Sequence, residues 1–159
     1  PLWSRGLGDV YKRQWSGNIL HSNDHNRSIP LALLKPIYSN ERFSFYGLQP
    51  DVRYSDIKAR TEMKCVDFIA APDDFCRTAE FVDTCVDLVI TVDTAVANLA
   101  GAMGIPTWVM VPYSCDWRWG CKGETTPWYP SVRVFRQGED RRWEPVIERV
   151  ARELERLNE

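Results

Sequence analysis

Residues 87–111 read DLVITVDTAVANLAGAMGIPTWVMV, and no other stretch limits the fold as much. Two apolar runs of strand length, 88–92 and 107–111, flank a segment of small residues at helical spacing, 94–103. The first run is apolar on both faces, the pattern of a central parallel strand. Gly104 then closes the helix. The same alternation extends outward: strands are expected to end near Trp15 or Ser16, and to cover 42–48, 65–70 and 131–135. Helices are expected over 30–38, with Ser28 as cap and Pro30 in the first turn, and over 52–60, 74–85 and 143–157. Short apolar runs alternating with helical patterns are the signature of βα units around a mainly parallel sheet, here of six strands. Segment 17–28 reads as a polar loop. The last helix carries Trp143, Val146, Ile147, Val150, Leu154 and Leu157 on one stripe and charges on the other, and Ala95, Ala97, Ala100, Gly101 and Ala102 are small enough for close packing on the sheet.

Composition narrows the class of partner. The 159 residues make one domain with room for an ordinary core, and 20 basic against 22 acidic residues leave a net charge of −2. With no block of like charge, a nucleic-acid or anionic-membrane partner is not suggested. No apolar run reaches the ~20 residues of a membrane span, and a cytoplasmic protein is expected. Cys65, Cys76 and Cys85 fall in or beside apolar stretches, as reduced packed thiols would, and the spacing of Cys115 and Cys121 fits no zinc pattern.

The opening fourteen residues, PLWSRGLGDVYKRQ, do not read like the rest. They resemble a translated sequencing-adaptor segment at the ends of metagenomic reading frames and are set aside as a non-native leader, with the domain proper from 15 to 159. Residues 10–15 nevertheless hold enough β-formers to replace a lost first strand.

In an open parallel sheet, ligands bind at the carboxyl ends of the strands. That rule selects 16–18, 49–51, 71–73, 93–95 and 112–119, and with them Asn18 and Gln49 as possible sugar or base contacts. Asp93-Thr94 admits two readings. One is a plain helix cap over a small-residue packing face; the other is a phosphate seat, where unpaired N–H groups and the helix dipole attract an anion and Thr94 adds a hydroxyl. In the second, Asp93 caps the helix or binds a sugar hydroxyl. Arg27 could grip a phosphate, or lie in a surface loop where it pairs with Asp24 or water. Asp116 and Trp117, in DWRW, suit sugar recognition by acid and ring face, while rings in such a loop also fold back to cover a sheet end. No GxGxxG, GxxxxGK[ST] or Ser-His-Asp order is present, which disfavours a dinucleotide domain, a P-loop and a hydrolase triad.

Taken together, WSGNxxHxNDxNRS, DLVITVDTAVANLAGAMGIPTWVMVPY, DWRW and PWYPSVRVFRQ resemble the C-terminal domain that follows tetratricopeptide repeats in bacterial proteins similar to glycosyltransferase family 9, the heptosyltransferases. The resemblance covers about 15–157. It implies a Rossmann-like three-layer α/β/α domain, the C-terminal half of a GT-B fold, that binds a nucleoside-diphosphate sugar without a metal or other cofactor. The donor's diphosphate would lie on Arg27, Asp93, Thr94, Ala95, Val96 and Asn98. A missing N-terminal domain would hold the acceptor and the general base, so that the fragment alone transfers nothing. The chain departs from the family at Ala95, where Gly or Ser is frequent, at Asn98, where His is, and at His25, where Arg is common. Those departures leave a second reading, a degenerate domain serving as an interaction or scaffolding module.

Overall fold

The computed structural model describes residues 11–14, 23–48, 54–62, 66–67 and 74–157. It is an α/β fold built on a parallel sheet. The strands are β1 (Tyr11–Gln14), β2 (Phe45–Gly47), β3 (Val66–Asp67), β4 (Leu88–Val92), β5 (Thr107–Val111) and β6 (Val132–Arg136), in the order β3-β2-β1-β4-β5-β6. All pairings are parallel, with Ile90 opposite Arg13 on one side and Trp108 on the other. β1 lies inside the adaptor-like leader and is the strand between β2 and β4.

The helices are α1 (Asp24–Arg27), α2 (Lys35–Tyr38), α3 (Ile57–Glu62), α4 (Phe75–Cys85), α5 (Ala95–Ala102) and α6 (Glu144–Arg156). Side chains of β4 and β5 alternate between two faces, as extended backbone requires. Leu88, Ile90, Val92, Trp108 and Met110 join Ile37 of α2 and Val146, Ile147, Val150 and Leu154 of α6 in one cluster. Val89 packs instead with Val82 of α4 and with Val96 and Ala100 of α5, while Val109 and Val111 meet Ala97 of α5 and Trp119. All ten residues of β4 and β5 are buried.

Several expectations are corrected. Segment 23–28 contains the single turn of α1, and Ser28 is the C-cap of that turn rather than the N-cap of the next helix. The expected helix 30–38 is split into a 3₁₀ turn, Leu31–Leu34, and α2, because Pro36 near the start of α2 has no N–H to continue the ladder. The segment after β2 likewise starts as a 3₁₀ turn, Tyr54–Asp56, before α3. On α5, Ala97 and Ala100 pack inward, while Ala95 and Ala102 face outward. Leu157 is exposed because α6 ends one residue earlier. Cys76 and Cys85 are exposed free thiols, as is Cys121, and Cys115 is partly buried; Cys65 lies outside the described residues. No helix among the described residues is long and apolar enough to cross a membrane.

Candidate functional site

The turn from β4 to α5 is the centre of the site. Thr94, not Asp93, occupies the N-cap position, in extended backbone with φ −140° and ψ 172°, and its side chain makes no capping bond. The Thr91 hydroxyl donates to the Val92 carbonyl, so in its 3.2 Å contact with the Thr94 hydroxyl it accepts. Thr94 is therefore a buried hydroxyl whose proton points back toward β4. The Thr94 carbonyl receives the N–H groups of Ala97 and Asn98, leaving those of Ala95 and Val96 as the first-turn donors without an intrahelical acceptor.

Arg27 arrives from α1. Its Nη1 donates to the Asp93 carbonyl at 3.0 Å, across 66 residues of sequence. Its Nε is buried and has no hydrogen-bond partner among the described residues. A buried guanidinium N–H left unsatisfied beside a helix N-terminus is what an anion would satisfy. Asp24 is itself buried and accepts the Ser28 hydroxyl at 2.7 Å, which fixes the turn that carries Arg27. Arg27 and Asp24 thus bond to Asp93 and Ser28, while His25 and Asn26 between them are exposed.

Asn98 serves the protein's own framework. Its Nδ2 donates to the Thr94 carbonyl at 3.0 Å and its Oδ1 accepts from the Tyr129 hydroxyl at 3.2 Å. The ring of Tyr129 lies over Gly101, where a Cβ would come within 2.7 Å of Tyr129 Cγ. α5 is thus clamped by the loop before β6, and Asn98 is a positioning residue for the Thr94 turn.

The loop after β5 divides its aromatics. Trp119 is fully buried, whereas Trp117 is 70% and Trp128 55% exposed. The two exposed rings meet edge-on, with centroids 5.4 Å apart and planes at 85°. Asp116 caps the 3₁₀ turn Trp117–Trp119 and accepts Nε and Nη2 of Arg118 at 2.8 and 3.1 Å. Those hydrogen bonds hold the Asp116 carboxyl below its usual value and raise Arg118. Asp116, expected to meet a sugar hydroxyl, is committed first to Arg118. Asp93 also acts electrostatically on Arg118, which sets this loop beside the β4–α5 turn.

The structure therefore brings Arg27, Asp93, Thr94, Ala95, Val96 and Asn98 together and sets Asp116 and Trp117 on the adjoining loop. Asn18 and Gln49 lie outside the described residues. Arg118, Tyr129 and Thr91 were not singled out from the sequence; only Arg118 had a signal, an acid two positions earlier. Among the described residues no group of three or more His, Cys, Asp or Glu side chains is placed to hold a metal ion.

The fold and site are those of an open parallel α/β domain with its polar groups gathered at the strand ends. No family model matches the chain. Protein FlbA of Caulobacter vibrioides is 32% identical to it over 154 residues, 94% of this chain. The chain spans about a quarter, 25%, of the length of FlbA.

Proposed function

We propose that the domain is the nucleotide-sugar-binding half of a GT-B glycosyltransferase, similar to glycosyltransferase family 9 and to the enzymes of that kind that carry tetratricopeptide repeats. The strand order β3-β2-β1-β4-β5-β6 supports this reading, because it is the doubly wound order whose crevice opens between β1 and β4. In this reading the domain is Rossmann-like, with three α/β/α layers, and works in the cytoplasm. The observation that carries it is the Arg27 guanidinium at the Asp93 carbonyl, beside the N-terminus of α5, with no partner for its Nε among the described residues.

The reaction forms a bond from an acceptor oxygen to the sugar's anomeric carbon and breaks the bond from that carbon to the diphosphate. A base elsewhere in the full-length protein takes the acceptor's proton. This domain's part is electrostatic: Arg27 and the N–H groups of Ala95 and Val96 stabilise the charge that gathers on the leaving diphosphate, without a metal. The isolated domain binds and does not transfer.

Calorimetric titration with UDP, ADP, GDP and CDP tests this. One of them should bind saturably, and Arg27→Ala should weaken it by roughly 10- to 100-fold, the worth of a charge-assisted hydrogen bond of about 1.5–3 kcal/mol. No binding of any at millimolar concentration, or binding indifferent to Arg27→Ala, would sink the donor-site reading. One observation favours the scaffolding alternative: Asn98 spends both polar atoms inside the fold. Asn98→His separates the two, since a working donor site should gain affinity and an interaction module should not.

A further inference from the structure

The donor reading leaves two cysteines of the loop after β5 unused, Cys115 and Cys121, and the loop folds so as to bring them together. Asp116 caps the 3₁₀ turn Trp117–Trp119, which closes with the N–H of Trp119 on the Asp116 carbonyl and that of Gly120 on the Trp117 carbonyl. Gly120 then takes φ +69°, a region that suits glycine, and turns the chain back. Its carbonyl returns to the start of the loop, where the Cys115 thiol donates to it at 3.4 Å.

That contact bounds the distance between the cysteines. Cys121 follows Gly120 through a trans peptide, which sets its Cα about 2.8 Å from the Gly120 carbonyl oxygen. The Cys115 sulfur is therefore at most about 6 Å from the Cys121 Cα, and a disulfide needs roughly 4 Å there. Arg136 of β6 holds the arrangement: its Nη1 donates to the Gly120 carbonyl at 3.0 Å and to the Cys115 sulfur at 3.3 Å. Its Nε and Nη2 donate to the Gly123 and Trp119 carbonyls, so the same side chain pins the loop on either side of Cys121. Cys76 and Cys85, at the second and last positions of α4, stand about 13 Å apart along the helix axis and cannot bridge to each other.

The two loop thiols differ in exposure: Cys121 is exposed and Cys115 partly buried. We propose that they form a reversible oxidation site, in which a low-molecular-weight disulfide of the glutathione class converts Cys115 and Cys121, drawn together through the Gly120 carbonyl, into an intramolecular disulfide. The exposed Cys121 sulfur, as thiolate, attacks the S–S bond of the reagent, forming a mixed disulfide and releasing one thiol. The Cys115 sulfur then attacks the Cys121 sulfur and releases the second. Two protein thiols have given up two protons and two electrons, and the reagent leaves as two thiols. A reducing pool reverses the exchange, as fits a short, partly exposed bridge of the labile kind. The ring so closed contains Asp116, Trp117 and Arg118, and Arg118 lies within electrostatic reach of Asp93. Oxidation therefore stiffens the loop beside the β4–α5 turn, and the pairing is independent of the donor reading.

The test is oxidation of the reduced chain by oxidised glutathione, followed by alkylation under denaturing conditions and measurement of the intact mass. Of the five cysteines, two should escape alkylation with no glutathione retained. Trypsin should give pieces, cut after Arg118, that stay joined until reductant is added. Cys121→Ser, at an exposed position, should abolish the loss of thiols, and Cys115→Ser should leave glutathione bound at Cys121. Cys76→Ser and Cys85→Ser should each leave the pairing unchanged. The proposal is overturned if the wild-type chain keeps all its alkylatable thiols or stops at a glutathione adduct. It is equally overturned if the pairing survives Cys115→Ser or Cys121→Ser, or disappears in Cys76→Ser or Cys85→Ser.

Discussion

Substituting Gly101 by alanine asks how tightly the loop before β6 clamps α5. A Cβ at 101 would lie 2.7 Å from Tyr129 Cγ, 3.0 Å from its Cδ2 and 3.0 Å from Val132 Cγ2. Carbon atoms settle at about 3.5–4.0 Å, so the ring would have to retreat by close to 1 Å. Behind it stands Trp119, fully buried, with its ring centroid 6.2 Å from that of Tyr129. Retreat would also stretch the 3.2 Å bond from the Tyr129 hydroxyl to Asn98. Overpacking of this kind costs about 1–3 kcal/mol and the hydrogen bond about 1 more. Alanine returns at most about 1 kcal/mol in helix propensity, and less one residue from the helix end. The net expectation is a loss of about 1–3 kcal/mol, a fall in Tm of roughly 2–10 °C for a chain of this size, read by urea and thermal unfolding. The same substitution in a Tyr129→Ala background should lose most of that cost, because only the 3.0 Å contact with Val132 Cγ2 remains. A rise in stability in the wild-type background, or an undiminished loss in the Tyr129→Ala background, would refute the clamp.

Two further outcomes follow from the electrostatics and the aromatic loop. The carboxyl of Glu153 is held below its ordinary value, first by the hydrogen bond from Arg133, and that of Asp116 by Arg118. A lowered folded-state value means stability that is fully present above the usual carboxylate range near pH 4 and is lost as pH falls through the folded value. Glu153→Gln should flatten the acid limb of a stability–pH curve, modestly because the pair is partly exposed; an unchanged limb contradicts the assignment. Trp117→Ala should leave stability within about 0.5 kcal/mol, whereas Trp119→Ala should cost about 3–5 kcal/mol. Equal costs in chemical denaturation would show that the exposed ring is structural after all.

The parts of the fold legible in the sequence are those with short-range causes. β4 and β5 have the limits expected of them because each is an apolar run carrying a single threonine, with Asp93 after one and Pro106 and Pro112 around the other. α1 reads as loop in the sequence because one turn of helix is too short to show a period. The neighbours of Cys76 suggest a packed thiol, yet α4 buries Thr78 and Val82, and a residue two before Thr78 sits about 200° around the helix from it. At the site, the Asp93-Thr94 join was visible, but its partners were not. Nothing in spacing says that Arg27 seeks the Asp93 backbone carbonyl rather than Asp24, or that Asn98 meets a tyrosine 31 residues on.

What joins the β4–α5 turn to a cavity at the β5 and β6 exits is α1 itself. One helical turn points neighbouring residues in different directions. Arg27 therefore reaches the β4–α5 turn while His25 and Asn26 line the cavity at the β5 and β6 exits. So short a helix has no stability of its own. It is held by the buried Asp24, whose carboxylate takes the Ser28 hydroxyl, and by Ile29, buried in the core one residue beyond. The reach of Arg27 to the Asp93 carbonyl and the cavity wall at His25 and Asn26 therefore hang on one anchored turn.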